Sequence, residues 1–276
     1  MTAFADDYIS PDLIRITTPR YISNSTSFQP RLGTYEYTVG WEGIAAASCA
    51  VTIRRSGDTY VVDASARTYS AVDLLYKLRY EAVGTLSAHQ LAPISFFVNQ
   101  RENSRVKKTD VLFSRTSDEI TAIRSKGDDD PDKKFISFSP HNGMLDPFAA
   151  VFIARSLPWE VGESRDFDVF NGKSRYFISL HALERTTIEF QGEQRKAIVI
   201  SPYVRNLTTT RPTSKLREAR IYVSDDTQRE VLKISSSVFV GNVHVNLVSF
   251  VPATEPRAAT SIARTGASDE LRAQLR

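Results

Sequence analysis

Residues 142–159, NGMLDPFAAVFIARSLPW, are the one long interior stretch with helical spacing in a chain that otherwise reads as strands. Asp146 is a good N-cap, because a short carboxylate can accept from the unpaired amides of a first turn. Pro147 suits the first helical position, with its φ already set, and Pro158 stops the helix. Phe148, Val151 and Phe152 then share one face, while Ala149, Ala150, Ile153 and Ala154 leave Arg155 as almost the only polar side chain. A helix apolar on nearly every side needs cover. In a chain made otherwise of strands, that cover is the concave face of a curved antiparallel sheet.

The strands announce themselves by alternation. Tyr35, Tyr37, Val39 and Trp41 alternate with Glu36, Thr38 and Gly40, giving a half-buried strand with an aromatic inner face. The clearest run places Tyr76, Leu78, Tyr80, Ala82, Gly84 and Leu86 on one face and Lys77, Arg79, Glu81 and Thr85 on the other. Similar runs follow at 94–102, 106–114, 119–124 and 135–139, and after the helix at 164–170, 176–183, 186–190, 194–201, 217–224, 230–240 and 243–251. Gly- or Asp-containing turns such as Ser56-Gly57-Asp58, Asn171-Gly172 and Gln191-Gly192 separate several of them. The expected fold is all-β with one central helix: a large curved antiparallel sheet or open β-barrel, helix on the concave face. Residues 1–33, rich in Ser, Thr and Pro, read as an extended N-terminal arm, 34–252 as a single barrel-like domain, and 253–276 as a polar tail that ends in a short helical pattern, SDELRAQLR.

Composition narrows the function classes. With 41% hydrophobic and 24% charged residues the chain is an ordinary globular one, and no apolar run is long enough for a transmembrane helix, which needs roughly 20 residues. The net charge of +3 is too small to argue for nucleic acid, and no nucleic-acid partner is expected. A single cysteine, Cys49, excludes an internal disulfide framework.

No catalytic motif emerges. Gly172-Lys173-Ser174 resembles the end of a phosphate loop, but Phe167 stands where the first glycine belongs, so a hairpin turn is the reading. The four histidines, His89, His141, His181 and His244, are far apart and lack ligand spacing, and residues 128–132 lack the spacing of a calcium loop. No metal and no cofactor are expected. Basic residues concentrate at Arg101, Arg105, Lys107, Lys108, Arg115, Arg124 and Lys126, either as a solvated sheet face or as a mouth favouring an anionic ligand.

Four segments in order, YEYTVGWEGIAAA, VGTLSAHQLAPISFFVNQ, LDPFAAVFIAR and RIYVSDDTQREVLKISSSVFVGNVHVNLVSF, resemble the bacterial exported family catalogued as domain of unknown function 3108. The likeness spans residues 35–251, with one departure at Ala46-Ala47, where a glycine is expected after the small-residue run. It implies a periplasmic β-rich protein without settled activity or transferable catalytic residues, and it favours Ala3-Phe4-Ala5 as the trace of an export signal. The architecture also looks like the half-barrel lipoprotein carriers, in which a helix closes an apolar cavity, a likeness of fold only.

The functional expectation is therefore a non-enzymatic envelope protein that takes an amphiphilic or anionic glycan-like ligand, a lipid or polysaccharide of the envelope, in the hollow of its sheet. The expected contacts are Tyr37, Trp41, Tyr76, Tyr80, Phe152, Arg155 and Trp159. Two alternatives stand beside it: a polysaccharide-acting enzyme, with Asp146 and His141 as the best acid–base pair, and a module offering a sheet edge to a protein partner the sequence does not identify. The helix is either a permanent plug or a lid, and the space beneath Phe148, Val151 and Phe152 is the discriminating observation.

Overall fold

The computed structural model describes residues 8–22, 28–114, 116–128, 130–140, 142–209, 216–238 and 241–253. Ala3-Phe4-Ala5, Arg115, His141 and the C-terminal helical pattern lie outside the described residues. Before the helix come β1 (Gly33–Trp41), β2 (Ile44–Ser56), β3 (Thr59–Thr68), the one-turn α1 (Ser70–Asp73), β4 (Leu78–Ser87), β5 (Pro93–Glu102), β6 (Arg105–Phe113), β7 (Ile120–Ser125) and β8 (Lys134–Phe138). The central helix α2 (Pro147–Ser156) leads to β9 (Ser164–Phe170), β10 (Arg175–Phe190), β11 (Glu193–Asn206), β12 (Leu216–Ser224), β13 (Val231–Val238) and β14 (Gly241–Pro252).

Among the described residues these fourteen strands form one antiparallel sheet in the order β8-β7-β6-β5-β4-β3-β2-β1-β14-β13-β12-β11-β10-β9. Every neighbour is next in sequence except β1 and β14, whose pairing from Gly33↔Pro252 to Trp41↔Val243 joins the two meanders into one surface. The expected all-β fold with a central helix is thus present, and it stays open: β8 and β9, the two ends of the order, share no ladder. They meet through side chains instead. Phe138 of β8 lies edge-on to Phe170 of β9 with ring centroids 5.2 Å apart, and Gly172, in the left-handed region at φ +83°, fits against Thr109 and Val111 of β6, where a Cβ would collide with both.

Two sequence expectations need correcting. The patterns at 176–183 and 186–190 belong to one 16-residue strand, β10, because a bulge between Ala182 and Glu184 shifts the register against β11 and interrupts the alternation without ending the ladder. Tyr76, expected on the inner row of β4, precedes that strand: its amide still closes the α1 turn onto the Val72 carbonyl at 2.9 Å.

The arm packs on the barrel where it is described. Arg175, 1% exposed, holds Asp168 with two hydrogen bonds of 2.8 and 2.6 Å and donates through Nη1 to the carbonyls of Pro11 and Ile14. That planar fork satisfies a buried carboxylate and two chain carbonyls together, a task a lysine ammonium cannot copy. Further on, the Asp166 amide donates to the Tyr21 hydroxyl at 2.9 Å, and Phe28 enters the core edge-on to Phe152. Over its described residues the arm lacks a hydrophobic period because, apart from the single 3-10 turn at Pro11–Leu13, it runs without a regular element that would bury one face.

Candidate functional site

The site begins with the two ends of α2. Asp146 caps the helix, its Oδ1 accepting from the Ala149 amide at 2.8 Å. The preceding residue, Leu145, joins the edge of β9: its amide donates to the Asp168 carbonyl and its carbonyl accepts from the Phe170 amide. Asp146 is fully buried and its Oδ2 has no hydrogen-bond partner among the described residues. Burial pushes this carboxyl up to about 7, more than the helix-terminal amides of Ala149 and Phe148 pull it down. At the other end Arg155 donates from Nε to the Arg229 carbonyl (2.6 Å) and from Nη2 to the Gln228 carbonyl (2.9 Å), while Arg229 returns hydrogen bonds to the carbonyls of Arg155 and Leu157. The two arginines thereby tie the last turn of the helix to the β12–β13 turn.

Held at both ends, α2 divides the hollow. One side fills it: Ala149, Phe152 and Ile153 are buried, Phe152 between Phe28 and Tyr60, and Phe148 lies against Phe96. Phe148 comes so close to β4 that a Cβ on Gly84 would occupy the place of its ring, which explains a glycine in an otherwise regular strand. The other side does not fill it. Pro147, Ala150, Val151 and Ala154 face Ile178 and Leu180 of β10, Pro202 and Val204 of β11, Ile221 of β12 and Ile234 of β13 across a cavity of about 430 Å³. Val151 remains 46% exposed, and the aliphatic residues opposite are only partly buried. The space beneath Phe148 and Phe152 is therefore packed, and the space beside Val151 is open.

The cavity runs along the helix. From Pro147 to Arg155 the axis advances about 12 Å at 1.5 Å per residue. Asn171 and Tyr176 supply polar groups at the end near the helix N-terminus, and Trp159, Val223 and Val231 line the end closed by the arginine clasp. Its volume lies within the range of roughly 300–1,000 Å³ typical of small-molecule sites, and a mostly apolar wall with a few polar groups is the usual lining.

Of the expected contacts, Arg155 and Trp159 border this cavity. Arg155 has two of its N–H groups committed to the clasp, and Trp159 donates from Nε1 to the Ala154 carbonyl, so both are held rigidly. Tyr37 stands behind the wall, its hydroxyl donating to the Val231 carbonyl at 3.1 Å, and burial raises its phenol strongly. Together with Tyr80 it also borders a separate, more polar depression of about 520 Å³ that includes Glu36, Arg67 and Arg79. Phe152 is core. Trp41 and Tyr76, each 42% exposed, stand at the end of β1 and before β4 and line none of these hollows. The aliphatic residues that do line the cavity were visible as alternating positions on β10–β13, but their pattern is the same as that of a filled core.

Among the described residues no group of three His, Cys, Asp or Glu is placed to hold a metal ion. No helix among them is long and apolar enough to cross a membrane.

A family model described as "Protein of unknown function (DUF3108)" matches residues 36–248. Among curated proteins none matches. The crystal structure of a beta-barrel-like protein of domain of unknown function DUF1849 from Brucella abortus is similar over 81% of this chain and 98% of that one, with a TM-score of 0.54 at 9% identity, a likeness of fold. That of a "putative lipoprotein" from Parabacteroides distasonis covers 82% and 98% at 9% identity, with a TM-score of 0.33.

Proposed function

The chain belongs to the DUF3108 family of proteins of unknown function, and from that premise we propose that it is a non-enzymatic protein of the bacterial envelope, periplasmic in location, that holds the apolar part of an amphiphile beside α2. One observation carries the reading: the cavity wall is mostly apolar, and a run of its aliphatic side chains, from Val151 on the helix to Ile178, Leu180 and Ile221 on the sheet, remains partly exposed. Apolar surface left open to water costs about 25 cal/mol per Å², and an apolar guest recovers it. A glycan would find few hydrogen-bonding groups along this wall, so a lipid-like amphiphile suits it better than a polysaccharide. Its polar head belongs at the Asn171–Tyr176 end, because the opposite end is sealed by the Arg155–Arg229 clasp.

The test is native mass spectrometry of protein purified from its own envelope, combined with fluorescence titration of the apolar dye N-phenyl-1-naphthylamine. The expected result is a retained amphiphile, competed by the dye at one site. Ala150→Phe, which fills the cavity from the helix side, should weaken dye binding about tenfold or more while leaving the fold intact. Empty protein together with no dye binding, or dye binding unaffected by Ala150→Phe, refutes the proposal.

A further inference from the structure

Strand polarity sorts the connections onto two rims. In an antiparallel order the turns β1–β2, β3–β4, β5–β6, β9–β10 and β13–β14 all lie at one end of the barrel, and β2–β3, β4–β5, β10–β11 and β12–β13 at the other. The first rim carries Asn171 at the polar end of the cavity; the second carries the clasp at Gln228 and Arg229.

On the first rim, the connection between β3 and β4 exposes two successive leucines. Leu74 and Leu75, just after α1, are each 87% exposed, and Ile44 at the start of the neighbouring β2 is 62% exposed. The leucines are not on a loose tip. The Tyr69 amide donates to the Ala46 carbonyl at 3.0 Å on one side of the connection, and on the other the Lys77 amide donates to Asn103 Oδ1 at 2.9 Å, with the Asn103 amide returning to the Lys77 carbonyl at 2.8 Å. A well-tied turn that projects adjacent aliphatic side chains into water calls for a partner.

The charges beside it indicate which kind. Asp73 is engaged by Arg79 at 2.5 Å and Glu102 by Lys107 at 3.2 Å. Lys77, Arg101 and Arg105, all exposed, form no ion pair among the described residues. An aliphatic projection beside an excess of cations, Lys77, Arg79, Arg101, Arg105 and Lys107 against Glu42, Asp73 and Glu102, matches a lipid interface: leucines enter the acyl boundary while Lys and Arg reach phosphates at headgroup level.

We propose that this rim is a membrane-contact surface, seating on a bilayer rich in anionic headgroups through Leu74, Leu75 and Ile44, with Lys77, Arg101 and Arg105 on the phosphates. The same rim bears the polar end of the cavity, so the bilayer would meet the end at which an amphiphile's head belongs. The surface itself does not depend on the cavity being a binding site.

The test is co-sedimentation of the full chain with vesicles of phosphatidylcholine alone and of phosphatidylcholine with phosphatidylglycerol. Binding is expected to the anionic vesicles and to fall as salt screens it, since the screening length shrinks from about 10 Å at 0.1 M to about 3 Å at 1 M. Leu74→Ser with Leu75→Ser, and separately Lys77→Glu with Arg101→Glu and Arg105→Glu, should each lower vesicle affinity about tenfold or more without moving the thermal midpoint, because these side chains are exposed. Absence of vesicle binding, equal binding to neutral vesicles, or full binding by either variant overturns the proposal; capture of a protein in place of vesicles overturns it too. Dye titration of the same variants reports the cavity alone, so the two readings fail separately.

Discussion

Asp146→Asn isolates the energetic consequence of burying the helix cap. A carboxyl that titrates near 7 in the native protein and near 3.8 when exposed holds its proton more tightly folded than unfolded. Below about pH 3.8 both states are protonated and the burial costs nothing through ionisation. As pH rises from there towards 7 the unfolded chain loses the proton first, so stability falls with rising pH; above 7 the whole cost is present. Each tenfold in proton affinity is worth about 1.4 kcal/mol, which puts the cost on the order of 4 kcal/mol at neutral pH. Asparagine keeps the shape and an amide oxygen for the Ala149 N–H and is an equally good N-cap, but it cannot ionise. Its second amide group, placed where Oδ2 finds no partner, adds a penalty that does not vary with pH. Urea denaturation of both proteins between pH 4 and 8 should therefore show Asn gaining on Asp by roughly 4 kcal/mol across the range, all other titrations cancelling in the difference. A difference that stays constant from pH 4 to 8 would refute the assignment of a desolvated, high-pKa carboxyl to this cap.

Three further perturbations probe the parts that shape the cavity. Arg175→Met strands the Asp168 carboxylate in a buried site and should cost about 3–5 kcal/mol in urea midpoints, with Asp168→Asn in the same chain restoring much of it; limited proteolysis should then cut within residues 8–22, which Arg175 anchors. Gly84→Val drives a side chain into the Phe148 ring and should destabilise by about 1–3 kcal/mol, a loss that shrinks when Phe148→Ala is added, since both changes act on one contact. Arg229→Met removes two charge-assisted hydrogen bonds to the end of α2 and should cost about 1.5–3 kcal/mol each at most; hydrogen exchange should speed up in the last turn of α2 while its first turn, capped by Asp146, is unchanged.

The strands, the helix and its cap follow from the chain read a few residues at a time. Asp146 and Pro147 start α2, Pro158 follows its end, and Tyr35, Ile53, Val62 and Leu86 point inwards because side chains on a strand alternate. These features depend on φ, hydrogen bonds to near neighbours and period, all of which are local. Tertiary structure alone decided what those inward faces meet. Phe148 and Val151 carry the same helical pattern, yet one lies in the space left by Gly84 and the other borders a void, because the helix stands close to β4 and away from β10–β13. Ile178 and Ile221 look like core residues for the same reason: alternation records which face a side chain takes, and the distance to the opposite layer determines whether that face is filled. Likewise nothing near Arg175, Arg155 or Arg229 in the chain announces their roles, because residues up to 164 positions away supply their carbonyl partners.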